Sequence, residues 1–305
     1  MLSFTPLTPD NTDERIEAIL SSLPSADEDY VAEIIESLAS DDECEYAVSW
    51  HSGCLAVRVF DSVYSFIYPI EISEEGDASS LVDKIREYSV KEEIPLIFTD
   101  VPSENLGDLL PFFRHANIDA ADAEGTYYTV RIISEAAALD ELPTIKVDDE
   151  IVLDPLTEED DEAYAALCKD RKTNKFWGFD DLADCDDPSD SYFREVAEGE
   201  FARGVAISLA IRYKGSFVGE ATLYHFNHLG DCQCAIRVIP AMLRLGIATR
   251  TLGALVDYAR EIGLTGISST VMEENIPSRK LCAKHMDEIE SPKEGYCTFT
   301  RDFTN

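Results

Sequence analysis

Hydrophobic and polar residues alternate along this chain in two ways, one with helical spacing and one with the two-residue spacing of strands. Helical spacing predicts amphipathic helices at residues 15–23, 29–40, 79–89, 104–113, 158–170 and 191–203. Short apolar or alternating runs predict strands at residues 45–50, 54–60, 63–68, 94–98, 126–133, 150–153, 205–213, 217–225 and 232–239. Strands and helices in this order predict an α/β (α+β) fold in which helices pack on a sheet.

The most informative pattern follows the predicted strand at residues 232–239. A loop that contains Gly246 leads into a segment whose apolar residues recur at helical spacing, namely Ala248, Leu252, Leu255, Val256, Ala259 and Ile262. The first N–H groups of a helix have no partner inside the helix, and the helix dipole favours an anion beside them. Since Gly246 and Ala248 carry little or no side chain, a diphosphate could approach the main chain there. An ordinary strand-to-helix turn would give the same tripeptide.

After this helix the chain continues with a predicted strand at residues 266–271 and a polar helix start, Asn275-Ile-Pro-Ser278. This order of elements, from residue 151 to residue 303, resembles the GCN5-related N-acetyltransferase (GNAT) superfamily. The resemblance implies a mostly antiparallel sheet and acetyl-CoA as co-substrate, with pantetheine pairing with the central strand like an added strand. The cofactor-binding residues that it implies are Val238, Ile239, Leu243, Arg244, Leu245, Gly246, Ile247, Ala248, Thr249, Asn275 and Ser278.

The chain departs from the family pattern at three positions. Leu243 stands where the family usually has Arg or Gln, Gln233 where many members have Glu, and Cys282 where many have Tyr as the proton donor to the departing thiolate. We therefore predict Glu220 as the first candidate for the general base and His225 as the second. His228 remains possible, as does Asp231 through a water molecule. Alternatively, Glu220 is a salt-bridged or solvent-facing strand residue and the histidines lie on loop surface.

Two further groups of residues are open to a functional and a structural interpretation. Cys282 could protonate the leaving thiolate, or it could be a small buried hydrophobe. Trp177 and Phe179 follow the predicted helix at residues 158–170, in the segment that forms one wall of the acceptor site in acetyltransferases. The resemblance favours a substrate-binding lid for both, whereas a lone tryptophan is more commonly an anchor in the core.

The first half of the chain predicts a second domain of similar type. Pro6 and Pro155 lie in similar short motifs, FTPLTPD and LDPLTEED, about half the chain apart. Residues 68–72, 94–113 and 126–132 resemble the phosphatidylglycerol lysyltransferase C-terminal-like family, itself a tandem of acetyltransferase-like folds. We therefore expect two tandem acetyltransferase-like domains, each a mixed, mostly antiparallel sheet flanked by helices. The expected boundaries are a degenerate domain at residues 1–134, a linker at 135–149 and an acetyl-CoA-binding domain at 150–305.

Charge narrows the choice of partners. The formal net charge of -36 argues against nucleic acid and against an anionic membrane, since both bind clustered Lys and Arg. It favours a cationic acceptor. Residues 237–284 nevertheless contain seven basic and four acidic residues, which suits a polyanionic coenzyme. By contrast, the helix at 79–89 follows the acidic run SEEGDAS, which would repel a diphosphate.

The eight cysteines show no paired CxxC motif, so we expect buried free thiols, no metal site and a reduced, cytoplasmic protein. No apolar run approaches the 18 residues of a membrane helix, and no signal peptide is apparent.

Together these observations predict an N-acetyltransferase that transfers acetyl from acetyl-CoA to a primary amine of a small molecule or peptide, by direct attack in a ternary complex. The alternative is a non-catalytic member of the same fold that binds acyl-CoA or a partner protein. A third possibility, an aminoacyl-tRNA donor, is disfavoured by the negative charge. A homodimer is possible.

Overall fold

The computed structural model describes residues 4–22, 27–41, 45–51, 54–59, 65–69, 75–92, 95–103, 106, 115–120, 125–177, 188–291 and 294–304. The chain divides into two compact units. The first consists of Met1–Ile132 with Asn227–Leu229, and the second of Ile133–Phe226 with Gly230–Asn305.

The first unit contains a sheet of seven strands in the order β1-β2-β3-β4-β5-β7-β6. The strands are β1 Thr5–Pro6, β2 Tyr46–His51, β3 Cys54–Val59, β4 Ser65–Pro69, β5 Leu96–Pro102, β6 Ala116–Ala120 and β7 Tyr127–Ile132. Neighbouring strands are antiparallel except β4 and β5, which run parallel. The helices are α1 Thr12–Ser22, α2 Glu28–Ala39 and α3 Glu75–Glu92.

Two apolar clusters hold the first unit together. Ile19 of α1 and Ile35 of α2 pack with Leu55 and Val57 of β3. Ile85 of α3 joins a separate cluster with residues of β3, β5 and β7, namely Ala56, Leu96, Phe98, Val101, Val130 and Ile132. Because successive side chains of a strand point to opposite faces of the sheet, α1 and α2 lie on one face and α3 on the other.

The second unit contains a sheet of eight strands in the order β14-β15-β13-β12-β11-β10-β9-β8. The strands are β8 Ile145–Lys146, β9 Ile151–Pro155, β10 Ala206–Tyr213, β11 Ser216–Tyr224, β12 Asp231–Val238, β13 Gly266–Met272, β14 Asp287–Ile289 and β15 Tyr296–Asp302. Only β12 and β13 run parallel within this sheet. The helices of the described residues are α4 Asp161–Lys169, α5 Tyr192–Ala202, α6 Ile247–Glu261 and α7 Ile276–Cys282.

The second unit also has its core on both faces of the sheet. Leu252, Leu255 and Ala259 of α6 pack with Cys232 and Cys234 of β12 in the largest cluster. On the other face α4 and α5 pack together over β10, through Tyr164, Ala165, Cys168, Phe193, Ala197 and Ala210. The apolar residues whose spacing predicted α6 therefore form the buried face of this helix.

The two units share one strand order. Apart from β8, each strand of the second sheet has a counterpart at the same place in the first, including the single parallel pair. A shared turn follows the first strand: the Thr8 amide donates to Asn11 Oδ1 at 2.9 Å, and the Thr157 amide to Asp160 Oδ2 at 2.8 Å. Thr157 thus begins a helical turn, a 3-10 helix that leads into α4.

Most predicted elements lie within one to four residues of the observed ones. Strands β1, β6, β8, β14 and β15 were not predicted. The predicted linker at residues 135–149 contains β8, which pairs with β9. The helix predicted at residues 104–113 lies outside the described residues, apart from Leu106. Across the part of the chain that the structure describes, every helix is too short or too polar to span a bilayer.

Candidate functional site

The second sheet opens between its two parallel strands. β12 pairs with β13 only at Asp231, Cys232 and Gln233, opposite residues 266–268. Beyond these pairs β12 continues to Val238 along β11, and β13 continues to Met272 along β15. The two strands therefore diverge toward their carboxyl ends. We call the gap between residues 234–238 and 269–272 the splay.

Alternate residues of β12 point their main-chain N–H and C=O groups toward β11 or into the splay. The amide of Ile239 donates to the Val218 carbonyl at 2.9 Å. In an antiparallel pair the N–H and C=O groups of every second residue point toward the partner strand. Those of Arg237 therefore also point toward β11, whereas those of Ile236 and Val238 point into the splay. Val238 therefore remains available to pair with an added strand. The amide of Ile239 is already used within the sheet, which disfavours the predicted main-chain pairing of Ile239 with a ligand; that pairing stays a prediction.

The loop from β12 to α6 combines two left-handed residues with an uncapped helix start. Arg244 has φ 65° and Gly246 has φ 77°. No side chain caps α6 at Gly246, and the first helical bond runs from the Arg250 amide to the Gly246 carbonyl at 3.1 Å. The left-handed backbone favours glycine at 246, and a Cβ built there would meet no atom within 4 Å. The donors at the start of α6 are thus approachable, and they fit an anionic group.

Side chains of the loop differ in exposure along its length. Leu243, Arg244 and Leu245 are exposed, whereas Ile247 is buried in the core. Ala248 and Thr249, in the first turn of α6, are half-buried. Because Ile247 is buried, it fixes the main chain at the end of this loop. The exposed side chains of Leu243, Arg244 and Leu245 are not held in this way.

Asn275 and Ser278 lie at the start of α7. Asn275 Oδ1 accepts a hydrogen bond from the Ser278 amide at 3.3 Å, which makes Asn275 the N-cap of this helix. The two residues predicted from the Asn-x-x-Ser pattern are thus in contact with each other. Their direct contact with a coenzyme stays a prediction.

On the opposite face of β12 a buried ion pair joins the two central strands. Glu220 of β11 lies opposite Arg237 of β12, with Glu220 Oε2 2.7 Å from Arg237 Nε. Tyr164 of α4 donates to Glu220 Oε1 at 2.7 Å, and the remaining Arg237 nitrogens donate to Asn174 Oδ1 and Cys168 Sγ. Burial, followed by the Glu220 carboxylate, raises the pKa of Tyr164 well above its usual value, so its hydroxyl is a donor.

This network bears on the role predicted for Glu220. The carboxylate is buried and both of its oxygens already accept hydrogen bonds. It therefore adopts the salt-bridged arrangement that the sequence left open as the alternative. Its position is nevertheless next to the splay, since its partner Arg237 precedes Val238. The general-base role stays a prediction.

Trp177 packs against the same network. Its ring lies 4.3 Å from the Arg237 guanidinium, in a cation–π contact, and its amide donates to the Asn174 carbonyl at 3.0 Å. The ring is half-buried, and its predicted role at the acceptor site stays a prediction. Phe179 lies outside the described residues. Next to Trp177, Lys175 forms an exposed ion pair of 3.7 Å with Glu274, which follows β13.

The two candidate histidines lie in different units. His225 is exposed and follows β11, one residue past the Tyr224–Gln233 pair, where β12 still pairs with β13. His228 belongs to the first unit, where its Nδ1 accepts from the Leu96 amide and its Nε2 lies 2.9 Å from Ser89 Oγ. Burial lowers the pKa of His228 to about 4, and Arg86 acts in the same direction. His228 thus has no spare nitrogen for a substrate proton.

Cys282 is the last residue of α7 and lies in the large core cluster. Burial raises the pKa of its thiol, so the thiol is protonated at neutral pH. It therefore fits the buried-hydrophobe interpretation, and its role as an acid stays a prediction. Cysteines 168, 232, 234 and 297 are also buried and free. Among the described residues no cluster of His, Cys, Asp or Glu has the geometry of a metal site.

The buried ion pair was not found from the sequence, although a signal for it exists. The β11–β12 hairpin turns around residues 225–230, and counting outward from that turn places residue 220 opposite residue 237. A Glu and an Arg at facing positions of two apolar strands would have predicted an ion pair.

Comparison with known proteins identifies the second unit. Residues 150–285 match the family model described as the acetyltransferase (GNAT) domain. The match covers less than half of the chain, so it applies to the second unit. No curated protein matches the chain.

Several solved structures resemble the same half. RimL, a ribosomal L7/L12 alpha-N-protein acetyltransferase solved with coenzyme A, is 14% identical, with a TM-score of 0.46 over 52% of this chain and 98% of that one. RimJ of Mycobacterium smegmatis is 19% identical, with a TM-score of 0.43 over 50% and 82%. The microcin C7 self immunity acetyltransferase MccE, solved with acetyl-CoA and AMP, is 19% identical, with a TM-score of 0.44 over 52% and 95%. Since all three scores are below 0.5, the family model carries the assignment.

Proposed function

We propose that the acetyltransferase (GNAT) domain at residues 150–285 transfers an acetyl group from acetyl-CoA to a primary amine. The observation that carries this proposal is the combination of the splay with the uncapped start of α6 directly after it. The strand edge inside the sheet and the helix N-terminus beside it could bind two different parts of one ligand. The strand edge suits the amide-bearing pantetheine arm, and the helix start suits the diphosphate.

The residues assigned to the coenzyme follow from these two features. Amides from Arg244 to Thr249 would hold the diphosphate, since the Leu243 amide already donates to the Pro240 carbonyl at 3.4 Å, and the main chain of Val238 would pair with the pantetheine arm. Asn275 and Ser278, at the start of α7, are proposed as further contacts from the second wall of the splay. Ile239 is left out of this set, because its amide is bonded to Val218.

The reaction needs little from the protein beyond positioning. The amine nitrogen attacks the thioester carbonyl carbon, a C–N bond forms and the C–S bond breaks, and the coenzyme leaves as a thiolate that takes up a proton. The attacking nitrogen loses its extra proton to a base. We assign this base first to Glu220, because Glu220 lies beside the open end of the splay.

The acceptor is proposed to be a cationic amine of a small molecule or peptide. The net charge of -36 attracts such a molecule at long range. Close to the splay, Glu274 already binds an ammonium group, that of Lys175. Because an exposed ion pair of this kind contributes at most about 1 kcal/mol, an acceptor ammonium could replace Lys175 at little cost.

The first unit is proposed to be a degenerate copy of the same fold without a coenzyme site. What supports this is the shared strand order and the shared turn at Thr8 and Thr157. The acidic sequence SEEGDAS at residues 73–79 also disfavours a phosphate site in this unit.

Two measurements on the full chain test the proposal. Coenzyme A at 100 times its Kd should stabilise the second unit by about 2.7 kcal/mol, seen as a rise in Tm. Acetyl-CoA mixed with a panel of polyamines, aminoglycosides and basic peptides should release free thiol, detected with a thiol reagent. No rise in Tm would refute the coenzyme site.

The same measurements distinguish the alternative function. A non-catalytic acyl-CoA-binding protein would show the rise in Tm and release no thiol with any amine. Buried Glu220, with both oxygens engaged, is the observation that favours this alternative.

A further inference from the structure

We propose that Gly219 is a positioning residue that keeps the splay open for the pantetheine arm of the coenzyme. This inference rests on the proposed function. Gly219 of β11 lies opposite Val238 of β12, at the end of the pairing between these two strands. At this point β12 has already left β13, so Gly219 lies on the side of β12 that is away from the splay.

The main chain of β12 occupies the space that a side chain at position 219 would need. A Cβ built on Gly219 would lie 2.3 Å from the Arg237 carbonyl oxygen and 3.0 Å from Val238 Cα. Contacts between a carbon and a carbonyl oxygen of neighbouring strands are normally about 3.3 Å or longer, so this Cβ would be too close to the oxygen by about 1 Å. Both contacted atoms belong to the backbone, which cannot turn aside as a flexible side chain can. Glycine therefore allows β12 to lie closer to β11 than any other residue would.

A bulge bends β11 at the same place. The pairing of β11 with β10 shifts between Ile211 and Arg212, which leaves Val218 as an extra residue in β11. A bulge of this kind bends its strand and increases the local twist. β12 follows the bend, because the Ile239 amide donates to the Val218 carbonyl at 2.9 Å. The end of β12 is thus held against β11, whereas β13 pairs only with the start of β12.

The splay is the direction in which a displaced β12 would move. In the part of the chain that the structure describes, no strand pairs with residues 234–238 on the side opposite β11. A side chain at position 219 would therefore push the end of β12 into the splay by about 1 Å. An added strand needs a spacing of about 4.8 Å from each neighbour, so this shift is a substantial part of the room that a ligand needs. Hydrogen bonds to the main chain of Val238 would lose their geometry.

Gly219→Ala tests the proposal, with two ligands measured by titration calorimetry on the full chain. Coenzyme A contains the pantetheine arm, whereas 3′-phospho-ADP contains the same phosphates without that arm. Coenzyme A should bind the variant about tenfold more weakly, as expected for the loss of one or two hydrogen bonds. The Kd of 3′-phospho-ADP should change by less than about twofold, because phosphates bind at the start of α6 and not in the splay.

Gly266→Ala in β13 is a matched control. Gly266 pairs with Asp231 at the closed end of the splay, and a Cβ there would lie 2.5 Å from Asp231 Oδ1. Both variants crowd a buried strand glycine, so both should lower Tm. Only Gly219→Ala should weaken the binding of coenzyme A, which separates the positioning role from a loss of stability.

Two results of the titrations would overturn the proposal. One is an unchanged Kd of coenzyme A in Gly219→Ala, and the other is an equal loss of affinity for 3′-phospho-ADP. If wild type itself binds neither ligand, the proposed function fails, which is a separate result.

Hydrogen exchange of the wild-type amides decides the question if Gly219→Ala does not fold. The amides that point toward β11, those of Arg237 and Ile239, should exchange at least about tenfold more slowly than the amides that point into the splay. Coenzyme A should then slow the exchange of Val238. Equal exchange rates along residues 236–239 would show that the end of β12 is not held against β11, and would overturn the proposal.

Discussion

The two units of this chain share a strand order but differ in the helix that follows their central parallel strand. In the second unit α6 begins after Gly246 with no acidic residue in its first turn. In the first unit the sequence at residues 73–79, SEEGDAS, is acidic where α3 begins, and an acidic sequence there disfavours phosphate.

Under the proposed function, strand order alone does not make a coenzyme site. Both sheets contain one short parallel pair of three registered residues, so both backbones can diverge after it. What differs is the local chemistry of the loop and first helical turn, which a few substitutions can change.

The largest effect is expected from giving the second unit the charge of the first. Gly246→Glu adds a carboxylate and a Cβ at a left-handed position, so it should abolish the Tm rise caused by coenzyme A, which means a loss of affinity of more than about 100-fold. The measurement is Tm with and without coenzyme A.

A matched control is available in α5. Gly199→Glu adds the same charge at a helical position where a Cβ meets nothing within 4 Å, so the Tm rise should be retained. Gly246→Ala separates backbone strain from charge. A normal Tm rise in Gly246→Glu would show that the loop assignment is wrong.

A smaller effect is expected at the ion pair between the central strands. In the first unit the facing residues of β3 and β4 form no such pair: Leu55, Ala56 and Val57 lie opposite Tyr68, Ile67 and Phe66. In the second unit Glu220→Gln leaves Arg237 buried without a counter-charge, which should lower the free energy of unfolding by about 3 kcal/mol. Denaturant unfolding of the variant measures this loss.

Removing both charges distinguishes a structural from a catalytic role of Glu220. The double variant Glu220→Leu, Arg237→Met should recover most of the stability, because apolar residues can replace a buried pair. A kcat that stays 100-fold or more below wild type in the stable double variant would support the general-base assignment. An unchanged kcat would exclude it.

The smallest effect is expected at Trp177. Trp177→Ala removes the cation–π contact with Arg237 and part of the ring's burial, so the free energy of unfolding should fall by about 1 to 2 kcal/mol. If Trp177 also contacts the acceptor, the acceptor KM should rise while the Kd of coenzyme A stays within twofold. Unfolding and steady-state kinetics measure the two effects separately, and Trp177→Phe, which keeps an aromatic ring, serves as the control.

The parts that the sequence predicted are those with strong local signals. The apolar spacing from Leu252 to Ala259 identified α6, and the alternating β11 and β12 gave the hairpin. Gly246 was correctly predicted to lie where a strand leads into a helix. Strand β14 was missed because Asp287–Ile289 is short and exposed throughout, so it has no hydrophobic pattern.

Other parts of the site depend on contacts that no local pattern contains. The Ile239 amide points toward Val218 because of the register in which β11 pairs with β12. The contact of Trp177 with Arg237 arises from the position of a 3-10 turn over β12. Charge counts along the sequence could not show which cations are already paired.

The splay also affects how this sheet avoids unwanted association. Unpaired strand edges at the border of a sheet tend to recruit strands of other proteins and so promote aggregation. Here the unpaired main-chain groups of Ile236 and Val238 lie in the interior of the sheet, between β11 and β13. A whole foreign strand with side chains on both faces would have to enter between two covalently connected strands, whereas a thin, flexible amide chain needs far less room. The position of the gap therefore favours narrow ligands over foreign strands at these main-chain groups.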